Sequence, residues 1–253
     1  MQRFLICLSY DGTDFNGWQT QPQGRTVQDI LENILAEIAS VPIAVTGSGR
    51  TDAKVHALRQ YAHFDLNTRM STSQIVSALN SRVPADIKII SCQQVNPDFS
   101  ARYNAVSRTY NYYINLEYSP FSRHYAVHFP RFRFSPDSLL KCLPWFLGEH
   151  DFSAFAKHNP DLKHYRCIIN SFKLLEKDGQ IVLIIQANRF LHNMVRRIVG
   201  TCLRVCHTKS EPQVISSLIT NCDPASNLIY TAPPQGLYLT QVEYPDIDSK
   251  TSI

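Results

Sequence analysis

The run Gly47-Ser48-Gly49-Arg50-Thr51-Asp52-Ala53 sets one carboxylate and one guanidinium in a backbone that its glycines free for unusual conformations. A carboxylate held there can attack as a nucleophile or accept a proton. It can equally do neither, because aspartate in a Gly/Ser turn commonly hydrogen-bonds its own backbone. Spacing excludes some chemistries. Lys54 is preceded by Ala53 and followed by Val55, whereas a nucleoside-triphosphate cradle needs glycine before the lysine and a hydroxyl after it. No His-x-Glu run followed by Pro-Cys-x-x-Cys occurs, which excludes a zinc-dependent base deaminase. Hydrolysis of a glycosidic bond wants a second carboxylate, and Asp52 has no obvious partner in sequence, although Glu149 or Asp151 could be brought in by folding.

Composition bounds the setting. Of 253 residues 44% are apolar, enough for a sizeable core without staples. Seven cysteines, at 7, 92, 142, 167, 202, 206 and 222, form no Cys-x-x-Cys pair, so they read as buried reduced thiols rather than disulfides or zinc ligands. The early apolar stretch Phe4 to Leu8 is too short for the core of a signal peptide, and no segment reaches membrane-spanning length. A cytoplasmic protein is the default. Net charge is only +4, but its distribution is uneven. Gly179 to Ser210 carries no acid and holds Arg189, Arg196, Arg197, Arg204 and Lys209; Tyr118 to Pro136 carries none either and holds Arg123, Arg131 and Arg133. Such segregation suits a phosphate-binding face and equally suits an ordinary solvated surface.

A loop of this kind needs regular elements around it. Phe4 to Tyr10 reads as a strand, and Thr26 to Ala39 as a helix with its stripe at Val27, Ile30, Leu31, Ile34, Leu35 and Ile38. Thr26 and Asp29 supply a capped start. Pro42 to Thr46 reads as a short strand, Leu58 to Leu66 as a strand, Thr72 to Ser81 as a helix and Asp86 to Val95 as a strand. After residue 105 the pattern restarts. Arg108 to Leu116 is an aromatic strand, and a helix opening at Ser135 carries Leu139, Leu140, Leu143 and Leu147, kinks at Pro144 and ends at Gly148. Ile168 to Leu175 and Ile181 to Ala187 flank the Asp178-Gly179 turn of a hairpin. A helix with Leu191, Met194, Val195, Ile198, Val199 and Cys202 on one face follows, then a shorter one near Pro212 to Thr220 and a last strand, Leu237 to Tyr244. The expected division is 1–105, an α+β part carrying the Asp52 loop, and 106–253, a second α+β part.

Arg50-Thr51-Asp52-Ala53, continuing Val55-His56-Ala57 and Gln60, resembles the catalytic loop of the tRNA pseudouridine synthase A family. The resemblance extends to Tyr10-Asp11-Gly12, Gly17-Trp18-Gln19, Phe99-Ser100-Ala101-Arg102, Arg108-Thr109-Tyr110 and Leu147-Gly148-Glu149-His150-Asp151-Phe152. It continues through Phe190, His192, Met194-Val195-Arg196, Ile198-Val199-Gly200 and Gly236-Leu237-Tyr238-Leu239, in family order along nearly the whole chain. One position departs. Lys54 stands where the family usually has glycine, so either the backbone there needs no positive φ or the loop is strained.

The resemblance implies an α+β fold of two ferredoxin-like, RRM-like units with antiparallel sheets flanking a basic catalytic cleft. It also implies isomerisation of uridine to pseudouridine at positions 38, 39 and 40 in the anticodon stem and loop of tRNA, by a homodimer with no cofactor and no metal. Asp52 is implied as the catalytic carboxylate, acting as nucleophile or as base. Arg196 is its implied basic partner, since a guanidinium holds a carboxylate in two-pronged geometry and favours its charged form. Tyr110 is implied as the phenol that stacks on the uracil, and Arg50 as the group that helps extrude the nucleotide, a phosphate contact being the milder role. Tyr112 and Tyr113 read as sheet residues. The reading from another class is a non-catalytic RNA-binding or tRNA-chaperone module of the same fold.

Overall fold

The computed structural model describes residues 1–245 and 247. By contacts the chain divides into two compact units: Met1–Val106 together with the stretch from Tyr238, and Ser107–Leu237. Both mix helices with mostly antiparallel strands, so the fold class is α+β.

The first unit begins with β1 (Gln2–Tyr10), α1 (Val27–Ala39), β2 (Thr46–Gly47), β3 (His56–Leu66), α2 (Thr72–Asn80) and β4 (Ile87–Val95). β1 lies between β3 and β4, antiparallel to both, and β2 pairs antiparallel with β3 at Ala62 and His63. Phe4 to Leu8 are all buried, which is why this central strand is an unbroken apolar run rather than an alternation. Helix α1 buries Val27, Leu31, Ile34 and Leu35, each contributing about 1.5–3 kcal/mol of burial. The Thr26 side chain caps it by accepting from the Asp29 N–H. Helix α2 starts on a capping box, Ser71 with Gln74, and buries Ile75 and Leu79.

The strand expected over Pro42 to Thr46 shrinks to Thr46–Gly47. Side chains of α1 take the backbone partners that a sheet would have supplied. The Val45 N–H donates to Glu32 Oε1 (2.9 Å) and Gln28 Nε2 donates to the Val45 carbonyl (3.2 Å), while Pro42 has no N–H to give.

The second unit holds β5 (Ser107–Asn115), β6 (Val127–His128), α3 (Pro136–Leu140), β7 (Gly148–Asp151), β8 (Arg166–Lys177), β9 (Gln180–Ala187), α4 (Met194–Thr208) and α5 (Val214–Asn221). Its antiparallel order is β5-β9-β8-β7, with β6 parallel to β5. Strand β9 alternates without error, Ile181, Leu183, Ile185 and Ala187 inward. Asp178 and Gly179 both take positive φ (51° and 74°), the pair that a two-residue hairpin turn requires.

The helix expected from Ser135 to Leu147 stops at Leu140, and Leu143–Phe146 form a separate 3-10 turn. Pro144 accounts for the break, since its ring meets the carbonyl four residues back, that of Leu140. Leu140 and Leu147 are consequently exposed. Gly148, at φ 94°, opens β7. All seven cysteines are free, but Cys92, Cys206 and Cys222 are only partly buried.

Beyond the second unit the chain returns to the first as β10 (Leu237–Glu243), which pairs parallel with β3, Tyr238 opposite His56 and Leu239 opposite Ala57. This return differs from the contiguous 1–105 and 106–253 division, because a strand's local pattern does not name its neighbour. No helix among the described residues is long and apolar enough to cross a membrane.

Candidate active site

Residues 48 to 55 of the first unit form an irregular loop between β2 and β3, and buried polar groups fix its two flanks. At its start the Ser48 N–H donates to the Tyr61 carbonyl (2.7 Å) and Ser48 Oγ donates to Gln60 Oε1 (2.6 Å). Gln60, fully buried, returns its Nε2 to the Gly49 carbonyl (2.9 Å). Thr51 Oγ1 and the Tyr10 hydroxyl share a buried hydrogen bond (2.8 Å), and burial pushes the Tyr10 pKa up to about 12, so the phenol stays neutral there.

Two more segments close on the loop from the β1–α1 connection. The Trp18 N–H donates to the Thr51 carbonyl (3.1 Å), and the Lys54 N–H to the Phe15 carbonyl (3.1 Å). Side chains have no room at these crossings. A Cβ on Gly12 would lie 2.1 Å from the Val55 carbonyl oxygen, and one on Gly17 2.6 Å from that of Thr51. The Gly12 N–H donates to His56 Nδ1 (3.0 Å). That nitrogen also lies 3.2 Å from Asp11 Oδ1, a contact that is an ion pair only when the ring is protonated.

The glycines of the loop serve differently from the sequence expectation. Neither Gly47 nor Gly49 has positive φ. Gly47 makes room for the Trp18 ring, which a Cβ there would meet at 2.6 Å, and a Cβ on Gly49 would meet nothing within 4 Å. The left-handed residue is Lys54, at φ 64°. The Val55 N–H donates to the Asp52 carbonyl (3.2 Å), closing a turn whose third position favours glycine. Lysine in that conformation costs about 1 kcal/mol relative to glycine. Of the two alternatives at this position, the strained one holds. At the loop's tip Asp52 is half-buried, and Arg50, Ala53 and Lys54 are exposed.

Tyr110 and Arg196 belong to the second unit. Tyr110, on β5 opposite Ile185, is buried and packs edge to face on Phe190, ring centroids 5.2 Å apart. Tyr112 points to the core, where burial raises its pKa and its hydroxyl donates to the Pro233 carbonyl (2.8 Å). Arg196 sits in the first turn of α4, half-buried. Its Nε donates to the Ala232 carbonyl (2.7 Å), its Nη1 to Asn193 Oδ1 (3.0 Å), and the Ala232 N–H donates back to the Arg196 carbonyl (3.0 Å). The segment 230–232 thus straps α4. It crosses at Gly200, where a Cβ would lie 1.9 Å from the Tyr230 carbonyl oxygen.

In the sequence Tyr10, Gly12, Gly17, Trp18 and Gln60 stand only as pieces of shared motifs. Their task, holding the Asp52 loop, needed the fold to become visible. Neither carboxylate raised as a second acid is idle: Asp151 accepts from the Ser153 N–H (2.9 Å) and Glu149 lies 3.5 Å from Arg166.

The chain matches the tRNA pseudouridine synthase family over residues 6–104 and 145–245. Asp52, Arg50 and Arg196 lie inside the matched stretches, and Tyr110 falls between them. It is 37% identical over 246 residues to a tRNA pseudouridine synthase A of Exiguobacterium sibiricum, covering 97% of this chain and 98% of that protein. To proteins of the same name from Maridesulfovibrio salexigens and Caldicellulosiruptor saccharolyticus it is 39% identical, covering 96% of this chain in each case and 91% and 100% of those proteins.

Proposed function

Since the chain belongs to the tRNA pseudouridine synthase family, we propose that it isomerises uridines 38, 39 and 40 in the anticodon stem and loop of tRNA, with Asp52 as the catalytic group. The reaction breaks the N1–C1′ bond, turns the uracil and joins C5 to C1′, so nothing is oxidised and no group is added. A carboxylate serves it either by attacking as nucleophile or by taking the proton that must leave C5.

The observation that supports Asp52 is the contrast within its loop. Ser48, Thr51 and Val55 are buried, whereas the Asp52 carboxylate is half-buried at the tip with Arg50 exposed two residues before it. A turn aspartate that served only its own backbone would not require buried partners from Tyr10, Trp18 and Gln60. Arg50 is assigned to the extruded nucleotide or its phosphate, since the target must leave its stack to be reached. Tyr110 and Arg196, from the second unit, are assigned by family resemblance as the aromatic and cationic groups of the same reaction. The same resemblance supports a cytoplasmic homodimer, for which sedimentation should give the mass of two chains; a monomer at micromolar concentration would count against it.

The test is incubation of the purified protein with an unmodified tRNA transcript, followed by nucleoside analysis and mapping of the product. Wild-type protein should place pseudouridine within positions 38 to 40. Asp52→Asn keeps the size and the turn's hydrogen bonding but removes the charge, so the protein should fold and bind tRNA while product becomes undetectable. Appreciable product from the variant would overturn the assignment of Asp52. No product from either protein would favour a binding module.

A further inference from the structure

A hollow of roughly 340 Å³ opens beside α4 in the second unit, walled in part by Ser153, Lys157, His158, Tyr165, Arg197 and Cys222. Two of these are permanent cations and a third, His158, becomes one on protonation. The one carboxylate that abuts this wall is Asp151, whose Oδ1 accepts from the Ser153 N–H (2.9 Å) and lies 3.9 Å from Cys222 Sγ, and neither Lys157 nor Arg197 forms a salt bridge with it or with any other acid among the described residues.

The wall is fixed in place before anything binds. Arg197 Nη1 donates to the carbonyls of Ala156 (2.7 Å) and Ala154 (3.3 Å), while its Nε is buried with no hydrogen-bond partner. The Lys157 N–H donates to the His192 carbonyl (3.0 Å), and the Tyr165 hydroxyl accepts from the Asn159 N–H (2.8 Å). The rings of His158 and Tyr165 stack within 16° of parallel. Backbone and ring are therefore pinned, and the Lys157 side chain is left exposed. Asp151 is already engaged by Ser153 and makes no ion pair with either cation, so Lys157 and Arg197 repel each other across one concavity, and an anion between them relieves that repulsion.

We propose that this hollow is a phosphate-ester site that receives a backbone phosphate of the bound tRNA. The inference rests on the reading of the chain as a tRNA-binding enzyme and adds a contact that neither Asp52 nor the reacting uridine makes. Its volume exceeds that of a bare oxyanion and admits the phosphate together with its ribose. Lysine and arginine meet phosphate without regard to base, so the contact positions RNA and does not read its sequence.

Lys157→Gln tests it, because the side chain makes no hydrogen bond or ion pair that folding depends on; Lys157→Gln with His158→Gln is the second variant. Affinity for an unmodified tRNA transcript is measured across salt concentrations, alongside KM and kcat. The slope of log affinity against log salt should become shallower by about one for the lysine, reflecting one lost phosphate contact. KM should rise about five- to tenfold with kcat unchanged. Inorganic phosphate, at matched ionic strength, should weaken tRNA binding by wild type more than by Lys157→Gln. Unchanged slope and KM in both variants would overturn the proposal. So would phosphate binding at Lys157 that leaves tRNA affinity unmoved, which would assign the hollow to a small free anion. Affinity is read apart from turnover, so a chain that binds tRNA without forming pseudouridine would fail the functional reading and leave this test intact.

Discussion

The Asp52 loop and the α4 strap hold their side chains by opposite means. Asp52 stands on irregular backbone pinned by residues from β1, from the β1–α1 connection and from β3, with carbonyl oxygens in the spaces where Gly12 and Gly17 lack side chains. Arg196 stands on a regular helix, located by the crossing at Gly200 and by side-chain hydrogen bonds that include those to Ala232 and Asn193. An irregular loop has no internal hydrogen-bond ladder, so its geometry is only as firm as the contacts brought to it from elsewhere in the chain. A helix carries its own, and needs only to be located.

That difference can be broken open by adding one methyl group on each side. Gly12→Ala and Gly200→Ala should have the largest effects, each losing about 2–3 kcal/mol or failing to fold, since in both a backbone carbonyl must move. Denaturant unfolding checks the loss, and Gly49→Ala, with open space around its Cβ, serves as the control within about 0.5 kcal/mol of wild type. Activity should separate the two regions further. If loop geometry depends on its imported contacts, Gly12→Ala should lose more kcat per unit of lost stability than Gly200→Ala does. Equal losses would mean that the strap is as critical to the chemistry as the loop.

A smaller effect sharpens the same point. Lys54→Gly relieves a left-handed lysine and should stabilise the protein by about 1 kcal/mol, partly offset by the greater freedom of glycine in the unfolded chain. Turnover and tRNA affinity should change only a few-fold, the outcome expected of an exposed, flexible amine that meets a phosphate rather than the uracil. Complete loss of product with binding intact would show that Lys54 takes part in the reaction.

Legibility in the sequence followed the same division. The stripe of α1, the Asp178-Gly179 hairpin and the inward face of α4 were readable because each is written in residues close together in the chain. The strand forecast over Pro42 to Thr46 failed because its hydrogen bonds were claimed by Gln28 and Glu32, whose intent no local pattern reveals. The helix forecast to Leu147 failed because Pro144 broke it rather than bent it. Asp52 and Arg50 were named by motif, but the reasons for the surrounding glycines were not. Gly47 and Gly49 suggested conformational freedom, whereas positive φ belonged to Lys54 and to Gly17, and the close approaches to Gly12, Gly17 and Gly47.

The return of β10 to the first unit bears on how the chain can be made. His56, directly after the Asp52 loop, stacks on Tyr238 with ring centroids 4.4 Å apart, and β3 gains its parallel neighbour only there. At a ribosomal speed of about 5–20 residues per second, the stretch between Val106 and Tyr238 takes roughly 7–26 seconds to emerge. Throughout that interval the nascent chain has an open strand edge at His56 and Ala57, beside the Asp52 loop. A chain released before Tyr238 therefore keeps His56 and Ala57 as an uncovered strand edge, at which another extended segment can pair.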